Sequence, residues 1–363
     1  MKRVGNIWEN IIQIDNIDKA IKECCKHKKK TPFVIKLLDN TDYFAHEIQD
    51  ILVNDKYIPT IMKHKQIKEG AKIRDITIPK FYPDQIIHWA VCLQLKPIFM
   101  KDMYEYNCGS IPNRGVIYAK KYVERVYNNL ENKKSYTAKL DIRKYYGNIS
   151  QEKLIELLEG KIKDKKVIAL LKTIIKSGEK GLPIGFYTSQ WLSNVYLTEV
   201  DHFIKEQLHI KYYVRYVDDL VWIDTNKRKL HKALIDLKEY LAKNNYNIEI
   251  KDNWQMWKTF SRPLDFLGYR FHKGYVDLRK NILKKLKRQL RRVEKEKTLI
   301  IVRAKRLNSY LGWLKQINNS KQFYEKYIIP ICSKGWISRI ISHNSKRENK
   351  NNGYLKKNNN YNM

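Results

Sequence analysis

At 363 residues the chain is longer than one average domain and can bury a large core. Its 72 Lys and Arg against 38 Asp and Glu leave a formal charge of +34, which suits a polyanionic partner, nucleic acid being the commonest. Five scattered cysteines (Cys24, Cys25, Cys92, Cys108, Cys332) have no zinc-ligand spacing, and no apolar run reaches membrane-spanning length, so zinc-module and transmembrane classes are excluded.

In chain order, a helix is expected over Asn16 to Lys28, running into the basic run Lys26 to Lys30, and a second near 40–54. Residues 72–79 alternate as a strand that Pro79 stops. Asp84 is placed to cap a helix from Gln85 to Leu95, closed by Pro97. Residues 108–115 are a turn-rich loop, and 116–130 have a helical pattern. Tyr136 to Ile142 reads as a strand that presents Asp141 near its end. Ser150 then caps a helix with Glu152 in its first turn. After a loop over 181–185, Ser189 can cap a helix whose stripe is Leu192, Tyr196, Val200, Phe203 and Ile204. Two β-branched and aromatic runs over 211–224 surround Asp218 and Asp219, predicting a hairpin with two carboxylates at its tip. A helix over about 228–243, a strand from Tyr246 to Lys251 and a strand pair over Leu264 to Phe271 follow. Between Arg279 and Arg306, thirteen Lys or Arg accompany only Glu294 and Glu296. Leu283, Leu286, Leu290 and Val293 keep a helical stripe through that stretch. Helical segments lie around Tyr310 and Phe323, and from Ser342 the Asn- and Lys-rich chain is expected to be disordered.

Adjacent acids repel unless a cation joins them, so the hairpin predicts divalent metal. A βα…αββ order can bring the Asp141 strand beside it in one sheet. Carboxylates from neighbouring strands can then hold two Mg²⁺ about 3.5–4 Å apart, stabilising the attacking and leaving oxygens of a phosphoryl transfer. Little further machinery is needed, because this chemistry is mostly positioning and charge neutralisation. Lys72 and Arg74 alternate on one strand face and Arg114 lies in a glycine-flanked loop; each can meet a triphosphate. Lys251 is a candidate for protonating the leaving pyrophosphate. The 25 Tyr and 8 Trp offer faces on which bases stack.

These residues, in this order, resemble those of reverse transcriptases over about residues 1 to 330. Tyr216-Val-Asp-Asp219 looks like their Tyr-x-Asp-Asp signature, and Leu140-Asp-Ile-Arg-Lys-Tyr-Tyr146 resembles their preceding acidic motif. Lys72-Ile-Arg74 resembles the fingers motif that grips the triphosphate. Leu264 to Phe271 resembles the primer-grip hairpin, centred on Phe266, Leu267, Gly268 and Tyr269. The resemblance implies that Asp141, Asp218 and Asp219 are catalytic and, with Ile142, bind metal: two Mg²⁺, with Mn²⁺ as an alternative. It implies that Lys72, Arg74, Arg114, Ile142, Tyr146, Ile184, Gly185 and Gln190 face the nucleotide, Tyr146 lying under the sugar and blocking ribose.

Most bacterial reverse transcriptases carry Gln-Gly-x-x-x-Ser-Pro before the long helix. The stretch Ile184-Gly-Phe-Tyr-Thr-Ser-Gln190 resembles instead the enzymes of diversity-generating retroelements. That resemblance implies a template-repeat RNA copied with frequent errors at adenines, mutagenic retrohoming of the cDNA, and a small basic accessory protein oligomer as partner. Replacing a hydrogen-bonding Gln by apolar Ile184 would loosen the restraint on base pairing, and about 1.4 kcal/mol of lost selectivity is tenfold in error.

The expected fold class is α+β: a right-hand polymerase with fingers, an RRM-like palm with an antiparallel sheet, and a helical thumb. Fingers and palm take 1–278, the basic thumb 279–340, and a basic Asn/Lys-rich tail 341–363. The partners expected are template RNA, RNA–DNA duplex and dNTPs, with no membrane, in the cytoplasm of a bacterial cell and encoded by cell or phage. Rival readings are a stand-alone defence-associated reverse transcriptase and a non-catalytic RNA-binding protein of the same fold.

Overall fold

The computed structural model describes residues 2–26, 28, 31–60, 63–69 and 72–343, apart from the side chains of Glu69 and Lys72. Much of the expected basic run at Lys26 to Lys30, and the expected tail from 344 onward, lie outside the described residues. Helices α1 (Trp8–Ile12), α2 (Ile14–Cys25), α3 (Pro32–Asp39) and α4 (Thr41–Val53) open the chain. The strand expected at 72–79 is half of an exposed hairpin, β1 (Lys63–Glu69) against β2 (Lys72–Ile78). Its first strand, Lys-His-Lys-Gln-Ile-Lys-Glu, has no apolar alternation to announce it.

Helix α5 (Ile86–Asp102) runs straight through Pro97 instead of ending before it. A proline inside a helix costs about 3 kcal/mol. Ile98 and Phe99, the next two residues, are buried at roughly 2 kcal/mol each, which offsets that cost. Asp84 does not cap α5. It is buried, accepts from Tyr57 Oη (3.1 Å) and the Lys80 amide (3.2 Å), and also bonds the Thr60 hydroxyl.

There follow α6 (Val116–Asn129), β3 (Tyr136–Asp141), α7 (Tyr145–Asn148) and α8 (Gln151–Glu159). Ser150 caps α8 as expected, accepting from the Lys153 amide. Next come α9 (Lys165–Lys176), α10 (Tyr187–Tyr196), α11 (Thr198–His202), β4 (Tyr212–Tyr216), β5 (Asp219–Asp224) and α12 (Lys227–Lys243). Ser189 is no cap: α10 begins two residues earlier and buries it. Gly185, at φ 120, turns the chain early enough for Phe186 to lead straight into the helix. The expected stripe is buried at Leu192, Tyr196, Val200 and Ile204, but the helix breaks at Leu197 and ends in a π-turn over Phe203–Gln207.

β6 (Gln255–Lys258) completes a sheet of order β4-β5-β3-β6, in which β5 pairs antiparallel with both β4 and β3. The stretch Tyr246 to Lys251, expected as a strand, makes a single bridge from Ile250 to Ile142. Lys144, left-handed at φ 43, turns the chain away just after β3, so little of the chain there remains extended enough to pair. The chain ends with β7 (Leu264–Phe266), β8 (Tyr269–Phe271), β9 (Val276–Leu278), α13 (Lys280–Glu296), α14 (Ile301–Leu314) and α15 (Ser320–Tyr327).

The chain divides into two compact units. The first holds residues up to Gly115 and Tyr136–Met256; the second holds Val116–Ser135 and the chain from Trp257 onward. The first packs helices around the sheet, with Leu140, Leu220 and Trp222 buried beneath α10 and α12 residues of the same core. In the second, Tyr127 of α6 packs on Phe260 and Phe271 beside the sheet β7-β8-β9. None of the described helices is long and apolar enough to cross a membrane.

Candidate active site

The tip of the β4–β5 hairpin is Val217 and Asp218, with Asp219 already the first residue of β5. The expectation of both acids at the tip is corrected to this extent. The left-handed residue is Val217, at φ 56, where a glycine would be the ordinary choice. Asp219 pairs across β5 and β3 with Asp141. Residues directly opposite on antiparallel strands carry their side chains on one face with Cβ atoms about 5 Å apart. Asp218 sits beside them, its carbonyl accepting from the Ile142 amide at 3.1 Å. Burial pushes the Asp218 carboxyl above its usual pKa, and the charges of Asp219 and Asp141 push it further, against the opposing pull of Lys251. The end of the two central strands therefore gathers three mutually repelling acids.

Lys251 is held next to Asp141 by its backbone amide, which donates to the Asp141 carbonyl at 2.8 Å. Its ammonium forms an ion pair with Asp141 Oδ1. That oxygen is otherwise buried, with no hydrogen-bond donor aligned on it. Among the described residues no three His, Cys, Asp or Glu side chains stand closed around a metal-sized position. The donor set nonetheless fits a hard divalent cation: carboxylate oxygens only, crowded like charges, and a buried oxygen already drawing an ammonium.

Tyr146 of α7 is half-buried beside this cluster. Burial raises its pKa most, the neighbouring Ser193 hydroxyl and Arg74 lower it, and Asp218 raises it. Arg74 is thus electrostatically within reach of Tyr146, although it is exposed on β2. The Ser193 hydroxyl lies 3.3 Å from Tyr146 Oη and 3.1 Å from the Gln190 carbonyl.

The loop before α10 ties Tyr146 to β2. The Leu182 amide donates to the Tyr146 carbonyl and the Thr77 amide to the Ile184 carbonyl, both at 2.8 Å. A Cβ on Gly185 would strike the Thr77 carbonyl and stand 2.9 Å from Ile76 Cγ2. Ile184 is half-buried, and Gly185 and Gln190 are exposed. Arg114 donates to the Tyr104 carbonyl at 3.1 Å. The Lys72 side chain lies outside the described residues. In the second unit, Phe266 and Tyr269 are core residues of their sheet, and Leu267 (φ 51) and Gly268 (φ 86) form its two-residue turn.

Behind the Val217–Asp218 turn lies a buried ion pair not anticipated from the sequence, Asp201 with Arg215. Burial pushes the guanidinium pKa down, but Asp201 more than offsets this, so the guanidinium stays charged. The signal was an arginine in the middle of an otherwise apolar strand.

Residues 65–271, which contain this cluster, match the family model described as reverse transcriptase (RNA-dependent DNA polymerase). The Group II intron-encoded protein LtrA of Lactococcus lactis is 30% identical over 193 residues, 48% of this chain and 31% of that protein. Protein YkfC of Escherichia coli is 26% identical over 172 residues, 44% of this chain and 45% of that protein. The Retron Ec73 reverse transcriptase of Escherichia coli is 24% identical over 213 residues, 54% of this chain and 66% of that protein. The matched stretch thus spans less than half the length of the first two. A structure of telomerase from Candida albicans superposes with a TM-score of 0.51 at 14% identity, covering 74% of this chain and 55% of that one, so the polymerase fold is shared. The chain belongs to the reverse transcriptase (RNA-dependent DNA polymerase) family.

Proposed function

We propose that the chain is an RNA-directed DNA polymerase that makes cDNA from a template RNA by two-metal phosphoryl transfer. The observation that carries this is the register setting Asp141 opposite Asp219, with Asp218 alongside, within the family-matched stretch. Bound to these acids, two divalent cations would supply the charge that draws the attacking 3′-hydroxyl and the triphosphate together. Asp141, Asp218 and Asp219 hold that charge in place. Tyr146 occupies the floor where a sugar would lie, and Arg74 brings positive charge to the triphosphate side. Lys251, beside Asp141, is within reach to protonate a leaving pyrophosphate.

The subtype proposed is the diversity-generating retroelement enzyme, error-prone at template adenines, with a small basic accessory oligomer as its protein partner. The stretch from Ile184 to Gln190 supports it, because Ile184 and Gln190 stand where most bacterial reverse transcriptases have Gln and Pro. Primer extension on an RNA template tests the reaction. Wild type should extend and Asp218→Ala should fall to background; equal signals would sink the catalytic claim. Sequencing the product tests the subtype. Errors should concentrate at template adenines and fall in Ile184→Gln, whereas uniform low error would remove the retrohoming assignment.

A further inference from the structure

Asp201 on α11 and Arg215 on β4 are fully buried behind the catalytic turn. Arg215 Nε donates to Asp201 Oδ1 at 2.8 Å and Nη2 donates to Oδ2 at 2.6 Å. Tyr213 Oη donates to the same Oδ1 at 2.6 Å. The remaining nitrogen, Nη1, donates to Asn194 Oδ1 at 3.2 Å and to the Val217 carbonyl at 3.0 Å. Asn194 Nδ2 donates in turn to the carbonyls of Gly109 (2.8 Å) and Gln190 (3.0 Å). The Arg215 backbone is held as well: its amide donates to the Tyr106 carbonyl at 3.0 Å, and its carbonyl accepts from the Cys108 amide at 2.8 Å. A Cβ on Gly109 would stand 2.5 Å from Val217 Cγ2 and 2.6 Å from the Val217 amide nitrogen. The glycine leaves room for the turn.

A buried ion pair is a poor way merely to hold a core together. Desolvating each ion costs several kcal/mol, and a well-packed apolar pair often stabilises as well or better. An apolar pair, however, cannot reach the Val217 carbonyl. Val217 is β-branched and left-handed, a conformation that persists only where its surroundings hold it. It immediately precedes Asp218 and Asp219, so any relaxation there moves both carboxylates relative to Asp141.

We propose that the Asp201–Arg215 pair, with Asn194 and Gly109, is a positioning device for the divalent-cation site. It holds the Val217 turn so that Asp218 and Asp219 present their carboxylates at the spacing cations require. The inference deepens the polymerase reading of this site and rests on it. Asp201 and Arg215 are positioning residues, since neither touches the reacting atoms.

Arg215→Lys keeps a positive charge for Asp201 but lacks the planar fork that bonds Asp201 and Val217 together. Mn²⁺ alone is titrated into the full chain without nucleic acid or nucleotide, with free Mn²⁺ read by electron paramagnetic resonance. The Mg²⁺ needed for half-maximal primer extension is measured in parallel. Mn²⁺ affinity should weaken roughly tenfold, the size usual for loss of groups that orient metal ligands. The Mg²⁺ midpoint should rise by a similar factor while KM for primer–template stays unchanged. A folded Arg215→Lys protein with wild-type Mn²⁺ affinity overturns the proposal. If that variant does not fold, Gly109→Ala decides: it keeps the ion pair and crowds Val217, so weakened Mn²⁺ affinity in the folded variant supports the device and unchanged affinity overturns it. A wild-type protein that binds Mn²⁺ but extends no primer defeats the polymerase reading, and the Mn²⁺ titrations still decide the positioning claim.

Discussion

His88 shows how much a single residue's surroundings set its chemistry. It is fully buried on α5 with its ring 4.9 Å from that of Phe186, and its Nδ1 has no hydrogen-bond partner. Burial lowers its pKa from 6.5 to about 4, with the Asp84 charge opposing only part of the shift. The folded-state value is depressed, so the contribution to stability is whole above the unfolded value of 6.5 and is lost as pH falls from there towards about 4. Over that window the loss amounts to about 3 kcal/mol. Denaturant titrations at neutral pH and near the depressed pKa should show wild type losing more stability than His88→Phe. Parallel losses in the two proteins would show that His88 is not the group responsible. The apolar run Ile86 to Cys92 around it signals burial in the sequence, but the ring it meets does not show there. Phe186, the ring it packs on, lies far along the chain.

At the scale of elements, the loop before α10 joins pieces that the sequence keeps apart. Gly181 abuts the Tyr146 carbonyl, and Gly185 closes on Thr77 of β2. Gly185→Ala places a Cβ in a left-handed position against the Thr77 carbonyl, so the strand must move or the loop must strain. A loss of about 1–3 kcal/mol is expected in chemical denaturation. An unperturbed variant would mean that β2 is free to move away from the loop. The Ile184→Gln experiment leaves this tether in place, because the Ile184 backbone carbonyl makes the bond to Thr77, so it tests the side chain alone. The hairpin, α8 and α12 were legible along the chain because their turn and cap residues are local. Neither β1, whose partner alone defines it, nor the route of α5 through Pro97, which burial of Ile98 and Phe99 decides, was legible there.

At the scale of the whole molecule, +34 of formal charge is not spread evenly. Helix α13 buries Leu286, Leu290 and Val293 and exposes Lys284, Lys285, Arg288, Arg291 and Arg292. Binding to an RNA–DNA duplex should weaken steeply with salt. Replacing Lys284, Arg288 and Arg291 by Gln should reduce the log–log salt slope by roughly one for each phosphate left without its cation. Fluorescence anisotropy across a salt series measures it, and an unchanged slope would remove α13 from the duplex path. The net positive charge, the order of the acidic motifs and the identity of Asp141, Asp218 and Asp219 were legible in the chain alone, because composition and short-range patterns carry those properties. Tertiary packing was needed to set Asp141 opposite Asp219, to bring Lys251 beside them, and to hold a left-handed valine from behind with Arg215. Register, burial and hydrogen-bond closure are relations between distant segments, and they exist only once the sheet and its helices have packed.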